Sequence, residues 1–153
     1  MKNVLGAFSF KGVIVGSLFD VIGTGIWGIV EAIYLTVQHA SESMPPSQVA
    51  VAVATTMRGD PAVWTVNLVV GGLFSIGGGY ISARIAGQRE MLNGALASFL
   101  CVGLGLYSLA SGVSDDPLWL QLVLLVLSPV LALLGGSLRL RQRTRSRHQQ
   151  PAY

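Results

Sequence analysis

Four long apolar runs separated by short polar breaks dominate the chain. A helix that crosses a bilayer needs about 20 mostly apolar residues. The runs at about 12–37, 61–81, 91–112 and 117–138 meet that length. Asp60 followed by Pro61 reads as a helix cap and first helical residue, and Asp116 with Pro117 repeats the signal. Pro129 falls inside the fourth run, where it is expected to kink the helix. The first run follows a short basic stretch, as the apolar part of a signal peptide does. It is too long for that role, carries two acids and lacks a small-x-small cleavage site, so it reads as a retained helix. Between the first and second runs, Val49 to Thr56 of "PPSQVAVAVATTMRG" is apolar but too short to span. Pro46 or Ser47 opens a short helix there and Gly59 closes it. That helix is expected in the outer interface or across the mouth of the bundle. A strand reading of "VAVAVA" is weaker, because no polar face alternates. The expected fold is therefore all-α: an integral membrane four-helix bundle (12–138) with a short interfacial helix in its first outer loop.

Composition agrees with a lipid solvent. The 153 residues are 52% hydrophobic and 11% charged, against about 25% charged in soluble domains. Mean hydropathy is +0.62.

The charges then orient the spans. Of the 10 lysines and arginines, Lys2 and Lys11 precede the first run, Arg84 and Arg89 separate the second from the third, and Arg139, Arg141, Arg143, Arg145 and Arg147 follow the fourth. All nine lie on one side of a four-span chain, and only Arg58 lies on the other. Basic residues in short loops stay in the cytoplasm, so both ends (1–11 and 139–153) and the 82–90 turn are expected there. The net charge of +3 hides this split: nine bases less Glu90 leave +8 on one side, and Arg58 against Glu42, Asp60, Asp115 and Asp116 leaves −3 on the other. The basic tail "RLRQRTRSRHQQ" suits anionic lipid headgroups, each base contributing about 1 kcal/mol near the surface. It lacks the folded module and interleaved aromatics of a nucleic-acid reader. Trp64 and Trp119 open outward-facing helix ends, where an aromatic belt is expected.

In lipid, helices associate by close van der Waals approach, so small residues mark contact seams. Asn67, Gly71, Ser75, Gly79 and Ala83 recur every four residues in the second run; the third offers Gly94, Ser98 and Val102, and a second row of Ala97, Cys101 and Gly105. The second and third spans are expected to form a tight antiparallel hairpin along Gly71, Ser75, Gly79, Gly94 and Ser98, with Arg84 and Arg89 holding the turn in water. A lone Cys101 excludes an intrachain disulfide and reads as a small hydrophobe on the seam.

The first run carries the polar residues most worth explaining. Asp20 and Glu31 are eleven residues apart, about 20° beyond three full helical turns and about 16 Å along the axis. They share a face with Thr24, Trp27 and Tyr34. A carboxyl near the bilayer centre costs about 2.5–3.5 kcal/mol on insertion scales, and such residues face protein or water. Two roles stay open. As structural centres, Asp20 pairs with Arg84, and Glu31 sits near the headgroups or accepts from Asn67. As functional groups, the carboxyls carry a proton, an ion or a substrate.

The segment "GGGYISARIAGQREMLNGALAS" resembles uncharacterised four-span bacterial inner-membrane proteins, which share a "GGY-x-A-x-R-x-A" helix end, a basic turn and a small-residue third helix. The resemblance covers about Gly71 to Ser98 and implies a bacterial cytoplasmic membrane, with no activity attached. Asp20 or Glu31 is also similar in position to the essential acid in the first helix of small multidrug exporters. The chain differs from those in its length, its strong charge bias and its extended outer loop.

No GxxxxGK[ST], HExxH or GxSxG motif occurs, and His39 and His148 lie outside the apolar runs, which excludes a bis-histidine haem within the bundle. No cofactor, metal or catalytic set is expected. Two functions compete: a non-enzymatic accessory or structural membrane protein, working as a homo-oligomer or with a larger membrane partner, and a small proton- or ion-coupled transporter or channel using the acidic face of the first helix.

Overall fold

The computed structural model describes residues 9–40, 45–112 and 117–148. Within them the chain is helical: α1 (Phe10–Ala40), α2 (Pro46–Gly59), α3 (Pro61–Ala86), α4 (Glu90–Leu96), α5 (Phe99–Ser111) and α6 (Leu118–His148), with no strand among the described residues. Four helical segments are long and apolar enough to cross a membrane: α1, α3, α4 with α5 (Glu90–Ser111), and Leu118–Arg145 of α6. The segment between the first two is helical, as α2, and Gly59 is its last residue.

Burial is inverted relative to a soluble protein. Ser17, Asp20, Glu31, Ser75, Ser82, Glu90, Asn93 and Ser98 are buried, whereas Ile22, Ile26, Ile29, Val69, Leu73, Leu104 and Val126 are among the many exposed large apolar side chains. Water would penalise that arrangement heavily. In hydrocarbon it costs nothing on the outside and lets polar groups inside pair with one another.

The spans run longer than their apolar cores. α1 has 31 residues, about 46 Å of helix against about 30 Å of hydrocarbon. α6 also has 31 residues and runs through Pro129, taking in Arg139 to Arg147, so the segment expected as a separate tail is helical up to His148. Arginine is a good helix former, and Arg143 ties this stretch down by donating to the Gly87 carbonyl and to Glu90, each at 2.5 Å. The expected third span, 91–112, is two helices. At the break, Ala97 and Ser98 turn back on Gly94 and Ala95 with i→i−3 bonds of 3.1 and 3.2 Å. The carbonyl of Ala97 instead accepts from Ser17 Oγ at 2.5 Å, so a side chain enters the ladder where it opens. The expected Asp116 cap lies outside the described residues. Asp60 does cap α3, accepting from the Ala62 N–H at 2.7 Å.

The chain divides into two compact units, residues 1–21 with 72–153, and residues 22–71. The first is closed by backbone contacts at small residues. A Cβ on Gly16 would collide with the Gly78 carbonyl oxygen, and one on Gly79 with the backbone of Ala132. One on Gly135 would strike the Ile76 carbonyl, and one on Gly94 would come within 2.8 Å of Gly136 Cα. The seam expected between the second and third spans is thus made largely with α6. Ser82 Oγ adds a bond to the Asn93 carbonyl (2.7 Å), and the fully buried Asn93 accepts from the Ser9 N–H (2.9 Å). The α3–α4 turn bends through Gly87 and Arg89, both at positive φ.

In the second unit, α2 packs Val49 and Val53 on Leu35 of α1, with Met57 beside them. His39 Nε2 and Thr56 Oγ1 are 3.1 Å apart.

Candidate functional site

Each unit holds one buried carboxyl carried by α1. Asp20 is 2% exposed. The close approach of α1 to α3 at Gly16 and Gly78 brings it against Ser75, whose Oγ donates toward both carboxyl oxygens (3.0 and 3.2 Å). From α5, Cys101 Sγ donates to Oδ2 at 3.3 Å. Asp20 therefore links three helices. Beside this cluster, a cavity of about 160 Å³ is lined by Cys101, Gly105, Ser108, Gln121, Leu124, Leu125 and Ser128. Arg84 is exposed and stands nine residues beyond Ser75 along α3, about 13 Å of helix rise. That distance puts the expected Asp20–Arg84 pair out of reach, and the hydroxyl and thiol take its place.

Glu31, 8% exposed, ends a second network. The indole N–H of Trp27 donates to Asn67 Oδ1 at 2.7 Å, and Asn67 Nδ2 donates to Glu31 Oε2 at 2.8 Å. An indole N–H can only donate, so it fixes the amide orientation and turns the NH₂ group toward Glu31. Glu31 Oε1 accepts no hydrogen bond among the described residues. Glu31 also lines a pocket of about 430 Å³, with Trp27, Val30, Tyr34, Leu35, Ala62, Val63 and Val66.

Compared with protein-family models, with curated proteins and with solved structures, the chain matches none of them.

The sequence-derived residues divide accordingly. Asp20, Trp27, Glu31 and Asn67 are in polar networks. Thr24 and Tyr34 are exposed, so the acidic stripe of α1 is not buried along its whole length: the helix offers one face, and its neighbours cover only parts of it. Of the seam residues, Gly79 and Gly94 are at backbone contacts, Ser75 is a hydrogen-bond donor to Asp20, and Ser98 is buried at the α4–α5 break. Gly71 is at no close contact among the described residues, since a Cβ there meets nothing within 4 Å. Arg84, Arg89 and Arg141 are exposed, Arg139 is half-buried, and Arg143 is engaged with Glu90.

Sequence reasoning missed three things. Cys101, read as a small hydrophobe, is a donor to Asp20. Gly16 and the Gly135–Gly136 pair are contact points of the first unit. Glu90, which the sequence shows only as one charge in the turn, is a buried acid paired with Arg143. The adjacent glycines of the fourth run were the one usable signal for α6. Among the described residues, no group of three or more His, Cys, Asp or Glu could hold a metal ion.

Proposed function

We propose that this chain is a multi-pass protein of a bacterial cytoplasmic membrane, with both ends in the cytoplasm, and that it works without catalysis as a structural or accessory subunit. It does so as a homo-oligomer or beside a larger membrane partner. The observation that carries this reading is the Asp20 centre. Its carboxyl is taken up by donors from α3 and α5, an arrangement suited to holding helices together. The nine-to-one distribution of bases supports the orientation. The exposed Trp64 and Trp119 suit the outer interface, and the basic end of α6 suits anionic headgroups.

The test combines native mass spectrometry of gently extracted protein with Asp20→Asn. A stable complex, homo-oligomeric or with a stoichiometric partner, that is weakened by Asp20→Asn is the expected result. If the variant keeps its fold and assembly but loses proton or cation flux in proteoliposomes, the accessory reading fails and the transporter reading replaces it. Reporter fusions beyond His148 are expected to report a cytoplasmic end. The transporter reading has one specific observation in its favour, the Glu31 oxygen that no donor occupies among the described residues.

A further inference from the structure

We propose that Arg141 and Arg145 hold the phosphate of one anionic phospholipid, whose acyl chains lie on the face of α6 that leads up to them. The proposal rests on the reading above, in which the basic end of α6 meets anionic headgroups, and deepens it by naming the residues and the ligand.

The fold sorts the arginines at this end by face. Successive helical residues are about 100° apart, so arginines at every second position alternate between opposite sides. Arg139 and Arg143 share the side of Ala132 and Gly136, both buried against the rest of the unit. Arg143 is paired with Glu90, and Arg139 lies close enough to act on the same carboxylate. Those two charges are answered inside the protein. Arg141 and Arg145 lie on the other side and are exposed, and neither has an ion pair among the described residues.

The face they occupy matches a lipid from headgroup to chain. Val130, Leu134, Leu138, Arg141 and Arg145 fall within about 80° of one another around the helix axis, and the three apolar members are exposed. Val130 to Leu138 is about 12 Å of helix rise, most of the ~15 Å that one leaflet contributes to a ~30 Å hydrocarbon core. Past Leu138 the same face turns cationic within one turn of helix. Residues four apart have their Cβ atoms about 5–6 Å from each other, and like charges at that spacing repel. A phosphate between the two guanidinium groups removes the repulsion and accepts hydrogen bonds from both. A water-borne acidic partner would meet the arginines and leave the apolar stripe unused. A zwitterionic lipid would cover the stripe but bring its own cation to the pair.

The experiment titrates the purified full chain in detergent with phosphatidylglycerol or phosphatidylcholine and counts bound lipids by native mass spectrometry. The first phosphatidylglycerol is expected to bind at least tenfold more tightly than phosphatidylcholine. Each basic residue contributes about fivefold in affinity for an anionic headgroup, so Arg141→Gln and Arg145→Gln should each weaken it by about that factor, and the double variant should erase the preference. Arg139→Gln removes the same charge from the opposite face and should leave the preference intact. Equal losses in Arg139→Gln and Arg141→Gln would show diffuse attraction to net charge and overturn the proposal. A double variant that keeps the preference would overturn it by putting the lipid elsewhere, and inorganic phosphate that displaces the lipid at equal concentration would overturn it by showing a site for free phosphate. In detergent both ends of the chain are accessible, so these outcomes do not depend on orientation, which the reporter fusions test separately.

Discussion

The sharpest consequence of the packing concerns two glycines on one helix, Gly79 and Gly71. A Cβ on Gly79 would lie 2.7 and 2.8 Å from the carbonyl carbon and Cα of Ala132, where non-bonded carbons rest at about 3.5–4.0 Å. Alanine at 79 therefore pushes α6 back locally by about 1 Å. A gap of that size forfeits about a quarter to a half of each contact well of ~0.1–0.2 kcal/mol. Over a few tens of atom pairs along the seam this comes to about 1–2 kcal/mol, within the ~1–3 kcal/mol typical of overpacked cores. Lipid adds no compensating hydrophobic term, because the helices associate by packing itself. At Gly71 the same methyl meets nothing within 4 Å, and exchanging glycine for alanine improves helix propensity by up to about 1 kcal/mol. Gly79→Ala should therefore destabilise and Gly71→Ala should be neutral or stabilising. The assay is unfolding of the detergent-solubilised protein by SDS, followed by tryptophan fluorescence. Because the obstacle is backbone, Ala132→Gly should not rescue Gly79→Ala. The reasoning is refuted if the two alanine variants fall within ~0.5 kcal/mol of each other, the scatter of uninvolved positions, or if Ala132→Gly restores stability.

Three further outcomes follow from the polar contacts. Asn67→Ala removes the acceptor of Trp27 and the donor to Glu31 together, so a loss of about 1–3 kcal/mol is expected in the same titration; an unchanged midpoint would mean the network contributes nothing. Ser75→Ala deprives the buried Asp20 of a donor and should cost about 1–3 kcal/mol, whereas the double variant Ser75→Ala/Asp20→Leu should recover part of that loss, since removing both partners is far cheaper than removing one; simple additivity would contradict the assigned pair. A double-mutant cycle on Arg143→Ala and Glu90→Ala should give a coupling of about 0.5–1 kcal/mol, modest because Arg143 is partly exposed. That coupling should shrink between low and high salt, and a cycle closing at zero would remove the ion pair as a tie between α6 and the α3–α4 turn.

How much of this was legible depended on how local the cause was. The spans, the Asp60 cap and the helix ending at Gly59 are written in stretches of a few residues, so they could be read directly. The Asn67–Glu31 pair could be named because polar residues inside apolar runs are few and must find one another. Seams could be recognised as a kind but not assigned: Gly71 and Gly79 belong to the same four-residue row, yet only Gly79 is in contact. Cys101 gave no sign of Asp20, 81 positions away.

The sequence by itself determined that the chain is helical, which segments are long and apolar enough to cross a membrane, and which polar groups must be accommodated inside. These follow from length, periodicity and the cost of unsatisfied groups in hydrocarbon. Only the tertiary structure decided which small residues touch, that α6 rather than the third span receives Gly79, and that a thiol and a hydroxyl answer Asp20. The reason is that a helix in lipid is apolar all round. With no polar face to turn outward, its rotation and its neighbours are set by backbone fit between helices distant in sequence, and no local pattern encodes that fit.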